Sequence, residues 1–295
     1  MDKVVTLICN PADPALDEAL IGRASARFDG CRRVSLARGV AEDIFWSGPP
    51  DPTEARIMLS DVLGGARVDI VVQPAASRRK RLLIADMDST IIEQECIDEL
   101  AEFVGRRAEI AAITERAMRG DLDFEAALLE RLEMLKGLPV TALGDVFEKR
   151  ITLTPGARTL VRTMRKRGAT TALVSGGFTY FTSRVAAAAG FDVNEANELL
   201  AAEGRLAGDV ARPIRGRKAK EEALVRLSIE RGIPLAETLA VGDGANDLGM
   251  LGRAGLGVAF RAKPAVAAAA GARIDHGDLT ALLYLQGVTK TDFVD

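Results

Sequence analysis

The chain has 295 residues, of which 48% are hydrophobic, 27% charged and only 4% aromatic, and its formal net charge is −3. That length exceeds one typical domain of about 100–200 residues, and the charge balance excludes a global attraction to nucleic acid or to an anionic membrane. The three cysteines, Cys9, Cys31 and Cys96, show neither CxxC nor Cys/His spacing, which argues against a disulfide framework or a zinc site and fits a reducing compartment.

The first apolar run is six residues long, short of a signal peptide, and no later run approaches the about 18–20 apolar residues of a membrane span. A cytoplasmic protein without membrane association is expected. Residues 3–9 read as a strand, 16–28 as an amphipathic helix, and 32–46 as one or two strands around Gly39. A helix over 53–65, stopped by glycines, and a strand over 67–74, ended by proline, follow. The order βαββαβ predicts a small ferredoxin-like α+β domain over 1–75. Residues 76–80 form a linker whose neighbouring cations, Arg78 to Arg81, read as solvated rather than as a nucleic-acid patch, because no aromatics accompany them.

From residue 81 to 295 the pattern is α/β. Short apolar runs at 81–87, 169–175, 238–243 and 256–260 alternate with helical segments, which predicts a Rossmann-like parallel sheet covered on both faces. The alanine clusters at 186–189 and 267–270 read as helix. One stretch breaks the alternation: about 95–150 is helical throughout and predicts a cap inserted after the first strand. In open parallel sheets the ligand crevice lies at the carboxyl ends of the strands, so the polar clusters that end these runs should converge.

The first cluster is Asp86-Met87-Asp88-Ser89-Thr90. A helix cap would explain one polar residue, but not two aspartates at the mouth of a strand. Residues i and i+2 of an extended chain face the same way, so both carboxylates would meet one ligand, and a hard divalent cation such as Mg²⁺ removes their repulsion. The second cluster, Ser175-Gly176-Gly177, offers a hydroxyl and amides as an anion cradle, though Ser-Gly-Gly is also an ordinary turn. The third, Gly242-Asp243-Gly244-Ala245-Asn246-Asp247, faintly matches a dinucleotide loop. Its carboxylates would repel a pyrophosphate, however, and suit a metal, with Asp243 as ligand. A basic run from Arg212 to Lys220 could send one cation into the crevice, and spacing alone does not choose which. The single histidine, His276, reads as part of a surface turn.

Together DMDST, SGGF, Lys220 and GDGAND resemble the four motifs of the haloacid dehalogenase superfamily. The stretches IADMDSTIIEQECIDELA, AMRGDLDFEAALLERLEMLKGL, LTPGA, VSGGF and VGDGANDLGMLGRAGLGVAF resemble, more narrowly, the bacterial phosphoserine phosphatases over about 81–290. The first 75 residues resemble, more loosely, the ACT-like domain that precedes such enzymes.

The resemblance implies hydrolysis of O-phospho-L-serine to L-serine and phosphate, the last step of serine biosynthesis, through an aspartyl-phosphate. Asp86 would be the nucleophile and Asp88 the general acid and base. Mg²⁺ would sit on Asp86, the Asp88 carbonyl and Asp243, with Asp247 in support. Ser175, Gly176 and Lys220 would hold the phosphoryl group, with Lys218 competing for the lysine position. Glu95, with Glu93 as its competitor, would meet the substrate ammonium, Arg131 its carboxylate, and Asn246 would line the site. Another small phosphomonoester as substrate, or a phosphotransferase, is the alternative within the family. A non-catalytic phosphate-binding regulator is the alternative outside it. For the amino-terminal unit, amino-acid sensing, homodimer formation and a purely structural role all stay open.

Overall fold

The computed structural model describes residues 2–118 and 122–295. The amino-terminal unit runs β1 (Lys3–Cys9), α1 (Glu18–Ser25), β2 (Arg32–Ala37), β3 (Ala41–Trp46), α2 (Pro52–Leu63) and β4 (Val68–Pro74). After β5 (Leu82–Ala85) come four helices: α3 (Cys96–Phe103), α4 (Arg107–Met118), α5 (Phe124–Glu133) and α6 (Thr141–Arg150). The chain continues with α7 (Ala157–Lys166), β6 (Thr170–Phe178), α8 (Thr179–Ala189), β7 (Val193–Asn197), β8 (Leu199–Ala202) and β9 (Arg205–Val210). It closes with α9 (Arg217–Glu230), β10 (Thr238–Gly242), α10 (Leu248–Arg253), β11 (Leu256–Phe260), α11 (Pro264–Ala269), β12 (Ala272–Ile274) and α12 (Ala281–Tyr284).

The first four strands form an antiparallel sheet in the order β2-β3-β1-β4, the ferredoxin-like arrangement expected from the βαββαβ pattern. Residues 32–46 supply two strands, not one. The second sheet has six parallel strands in the order β12-β11-β10-β5-β6-β7. Its central strand β5 is buried at every position. Leu82 and Ile84 pack with Ala223, Leu224 and Leu227 of α9 on one face, while Leu83 and Ala85 belong to the cluster on the other. A strand covered on both faces has no room for polar alternation, which is why it reads as an unbroken apolar run.

The expectations miss two strands of this sheet and a hairpin. β7, with the sequence VNEAN, is an edge strand with polar positions, and β12 is three residues long. The β8–β9 hairpin turns through Glu203 and Gly204, both at positive φ (51° and 73°), as a two-residue type I′ turn requires. β6 also runs further than expected, through both glycines to Phe178.

The expectation of a solvated linker over 76–80 fails at Arg78 and Lys80, which are 7% and 5% exposed. The Arg78 guanidinium donates to both carboxylate oxygens of Asp43 (2.7 and 3.0 Å), to Thr6 Oγ1 and to the carbonyls of Tyr284 and Leu285. Asp43 is itself buried on β3, and a buried carboxylate needs such a partner. Lys80 Nζ donates to the Ala236 carbonyl at 2.7 Å. Asp69 of β4 accepts from the backbone amides of Asp275, His276 and Gly277. The amino-terminal unit is therefore joined to the six-stranded unit by buried polar contacts, and His276 lies in the turn at that junction.

α3 to α6 form the cap between β5 and β6, and residues 119–121 of it lie outside the described residues. Its two connections run side by side, bridged antiparallel at Ile92 and Leu153. At its other end the α5–α6 turn bonds to the hairpin through Gly137 N to Leu206 O and Leu206 N to Leu138 O, both 2.8 Å. Among the described residues, no helix is long and apolar enough to cross a membrane.

Candidate active site

β5, β6 and β10 are neighbours in the sheet and end on the same side, so the three polar clusters meet there. They line one cavity of about 670 Å³, which the cap covers. Asp86 and Asp88 keep extended backbone (φ −69°, ψ 158° and φ −65°, ψ 138°), and both carboxylates face that cavity. Ser89 then turns the chain at φ +53°, and Ile92 N closes the wide turn on Met87 O at 3.0 Å.

Lys220 is 1% exposed and sits between two carboxylates, 2.7 Å from Asp86 Oδ1 and 2.6 Å from Asp247 Oδ1. Burial opposes its charge, but Asp86 and Asp247 outweigh that and hold the ammonium above its usual pKa. Lys218, two residues earlier, is exposed, whereas Lys220 reaches the site through its contact with Asp86. Asp247 is fully buried, with its second oxygen accepting the Gly244 amide at 3.0 Å. Gly242 is the residue that lets Asp247 fit, since a Cβ there would overlap the Asp247 carboxylate.

One oxygen from each of Asp86, Asp243 and Asp247 lies within 4.8 Å of the others. Burial pushes Asp86 well above the usual carboxylate range, with Asp247 adding to the effect and Lys220 opposing it. Burial, followed by Asp247 and Glu95, pushes Asp243 up to about 6. Hard, closely set oxygens whose mutual repulsion one lysine only partly offsets fit a divalent cation of the Mg²⁺ type.

Asp88 is placed differently. Its Oδ1 accepts the amide of Cys96, the first residue of α3, at 3.1 Å, and burial raises its pKa. Ser175 and Gly176 line the cavity from β6, and Asn246 lines it from the turn after β10. From the cap come Glu95 and Arg131. Glu95 Oε1 accepts the Ser89 hydroxyl at 2.7 Å. Protein packed round Glu95, with Asp88 nearby, pushes its carboxyl up to about 7, although the group still meets the cavity's solvent. Arg131 bonds the Ala127 carbonyl through Nε, and burial lowers its pKa against the pull of Asp98. Glu93 turns away from the cavity and accepts the Thr152 hydroxyl at 2.9 Å.

The sequence reading passes over Lys263, which also lines the cavity, and two further residues that shape the site. Thr90 is fully buried and donates its hydroxyl to Asp243 Oδ1 at 3.1 Å. Phe124, at the start of α5, lies over Gly176 and Gly216. A Cβ on Gly176 would stand 3.2 Å from its Cζ, and one on Gly216 would stand 2.9 Å from its Cδ1. The two glycines thus let a cap aromatic close on the end of β6 that carries Ser175. Phe124 hides in the sequence because it shares a helical stripe with the buried Ala127 and Leu128.

Residues 83–252 match the model of the haloacid dehalogenase-like hydrolase family. Over 237 residues, 80% of this chain, it is 44% identical to phosphoserine phosphatase SerB2 of Mycobacterium tuberculosis, and this match spans 58% of that protein's length. A phosphoserine phosphatase of Streptomyces coelicolor is 43% identical over 98% of this chain and 71% of its own. A solved structure of a phospho-aspartyl intermediate analogue of phosphoserine phosphatase superposes with a TM-score of 0.65 at 40% identity, covering 70% of this chain and 98% of that one.

Proposed function

This chain belongs to the haloacid dehalogenase-like hydrolases, among the phosphoserine phosphatases, and on that premise we propose that it hydrolyses O-phospho-L-serine to L-serine and phosphate. One observation carries the choice of substrate. A carboxylate, Glu95, and a guanidinium, Arg131, face the same cavity as Asp86 and Ser175, and Lys220 stands directly behind Asp86, 2.7 Å from its Oδ1. A substrate bearing an ammonium, a carboxylate and a phosphate meets one complementary group for each. Arg131 can bind a carboxylate through two parallel N–H bonds.

In this reading an Asp86 oxygen attacks phosphorus, a P–O bond to Asp86 forms, and the P–O bond to the serine oxygen breaks. Asp88 gives its proton to the departing oxygen, because an alkoxide leaves poorly, and then takes a proton from the water that hydrolyses the aspartyl-phosphate. Burial favours the protonated form of Asp88, as its first task needs. Ser175, the Gly176 amide and Lys220 hold the phosphoryl oxygens, and Asn246 lines the site beside them. Asp86, Asp243 and the Asp88 carbonyl would hold Mg²⁺, which offsets charge between the carboxylates and the phosphate. Asp247, with both oxygens already engaged, supports that shell. The three unpaired cysteines favour the cytoplasm as its compartment.

The test is phosphate release from a panel of small phosphomonoesters, with Mg²⁺ and with EDTA. The expected result is preference for O-phospho-L-serine and loss of activity in EDTA. Equal turnover of phosphomonoesters lacking the ammonium and carboxylate would overturn the substrate choice. Full activity in EDTA would overturn the metal assignment.

A further inference from the structure

Asn197 is the last residue of β7, lies outside every cluster that the sequence brings to notice, and is 2% exposed. Its Nδ2 donates to the carbonyls of Gly176 (2.8 Å) and Arg215 (3.1 Å), and its Oδ1 accepts the Arg215 amide at 2.7 Å. The partners dictate this orientation: two carbonyls can only accept and an amide N–H can only donate. One side chain thus bridges the end of β6 just after Ser175 and the segment that enters α9.

The consequence for Ser175 follows from peptide geometry. In a trans peptide the C=O and the following N–H point to opposite sides. Holding the Gly176 carbonyl toward Asn197 therefore turns the Gly177 N–H the other way, where it donates to Ser175 Oγ at 2.8 Å. With its oxygen accepting that bond, the Ser175 hydroxyl keeps its own proton free to donate. On the other side, Arg215 stands two residues before Arg217, where α9 begins, and Lys220 lies within the first turn of that helix. Fixing both backbone groups of Arg215 fixes the entry of α9 and hence the reach of Lys220 to Asp86.

We propose that Asn197 is a positioning residue for the phosphoryl cradle: it orients Ser175 and Lys220 together, without touching the substrate. The proposal rests on the phosphomonoester reading above. It separates from a purely structural role because the cap residues Glu95 and Arg131 receive nothing from Asn197. Its loss should therefore weaken the phosphate end of the cavity and leave the amino-acid end alone.

The test is calorimetric binding of inorganic phosphate and, separately, of L-serine to the full chain with Mg²⁺, for wild type, Asn197→Ala and Asn197→Asp. The aspartate keeps the size and one acceptor oxygen but sets a carboxylate oxygen against two carbonyls, so it can be read even where the alanine variant does not fold. Partners that orient metal ligands are typically worth about 10–100-fold, and the low end of that range is expected for a residue that orients phosphate ligands. Phosphate dissociation constants are expected to rise at least about tenfold in each folded variant, with that for L-serine changing less than about twofold. An unchanged phosphate constant, or equal weakening of both ligands, overturns the proposal. Wild type that neither binds phosphate nor hydrolyses phosphomonoesters sinks the functional reading itself, an outcome distinct from a variant that behaves as wild type.

Discussion

Thr90 donates its hydroxyl to Asp243 Oδ1 at 3.1 Å, which ties the turn after β5 to the carboxylate that follows β10. The two residues are 153 positions apart, and the bond is buried. Thr90→Val keeps the shape and removes the donor, so Asp243 loses a partner that lowers its pKa. The concentration of Mg²⁺ needed for half-maximal activity should rise by about 10-fold, in the range usual for supporting partners of ligands. A titration of activity against Mg²⁺ checks this, and an unshifted curve would show that the bond does not tune Asp243.

Lys220 is the cation between two buried carboxylates, Asp86 and Asp247. Lys220→Met leaves them facing one another, and breaking a buried pair from one side typically costs about 3–5 kcal/mol. The variant should unfold at lower temperature in EDTA and lose phosphatase activity with Mg²⁺ present. Unchanged melting in EDTA would mean that the pair contributes little to the fold.

Glu95 has a carboxyl pushed up to about 7 by burial and by Asp88, so part of it is protonated at neutral pH. Only the ionised form meets an ammonium. A raised acid pKa therefore places the loss of binding on the acid side, and kcat/KM for phosphoserine should rise with pH through about 7. In Glu95→Gln that limb should vanish and the plateau should fall. A pH profile of the variant that keeps the same limb would assign it to another group.

Gly216 has φ −114°, which any residue can adopt, so an alanine there is opposed only by the Phe124 ring 2.9 Å from its Cβ. Gly216→Ala should push the ring off the cradle and lower kcat/KM, by up to about 10²-fold if the site shifts by an ångström. In a Phe124→Leu background the same change should cost much less, and a double-mutant cycle measures the difference. Additive losses would mean that the two residues do not act through their contact.

Much of this architecture is legible in the sequence because fully buried parallel strands are short apolar runs, as at Leu82–Ala85 and Leu256–Phe260. The carboxylate pair, the glycines and Lys220 are visible for a related reason: each follows a strand or opens a helix at the same end of the sheet. What stays hidden is held by distant partners. Arg78 reads as solvated until Asp43 and the carbonyl of Leu285 are placed beside it, 35 and 207 residues away. β7 goes unnoticed because an edge strand tolerates the polar residues in VNEAN. Asn197 ends that strand, and its importance depends on two segments, the end of β6 and the entry to α9, that meet only in the fold. The resemblance already favours Glu95 over Glu93 and Lys220 over Lys218, but the physical reason for each choice, the direction of a side chain, is visible only in the fold.

The central claim is that Asp86 carries the phosphoryl group between substrate and water. Acid quenching of wild type and Asp86→Asn during turnover of phosphoserine labelled in its phosphate, followed by peptide mapping, tests it most directly. The expected result is label on the peptide containing Asp86 in wild type and none in the variant, with turnover abolished. A variant that turns over at the wild-type rate, or label confined to another residue, would contradict it.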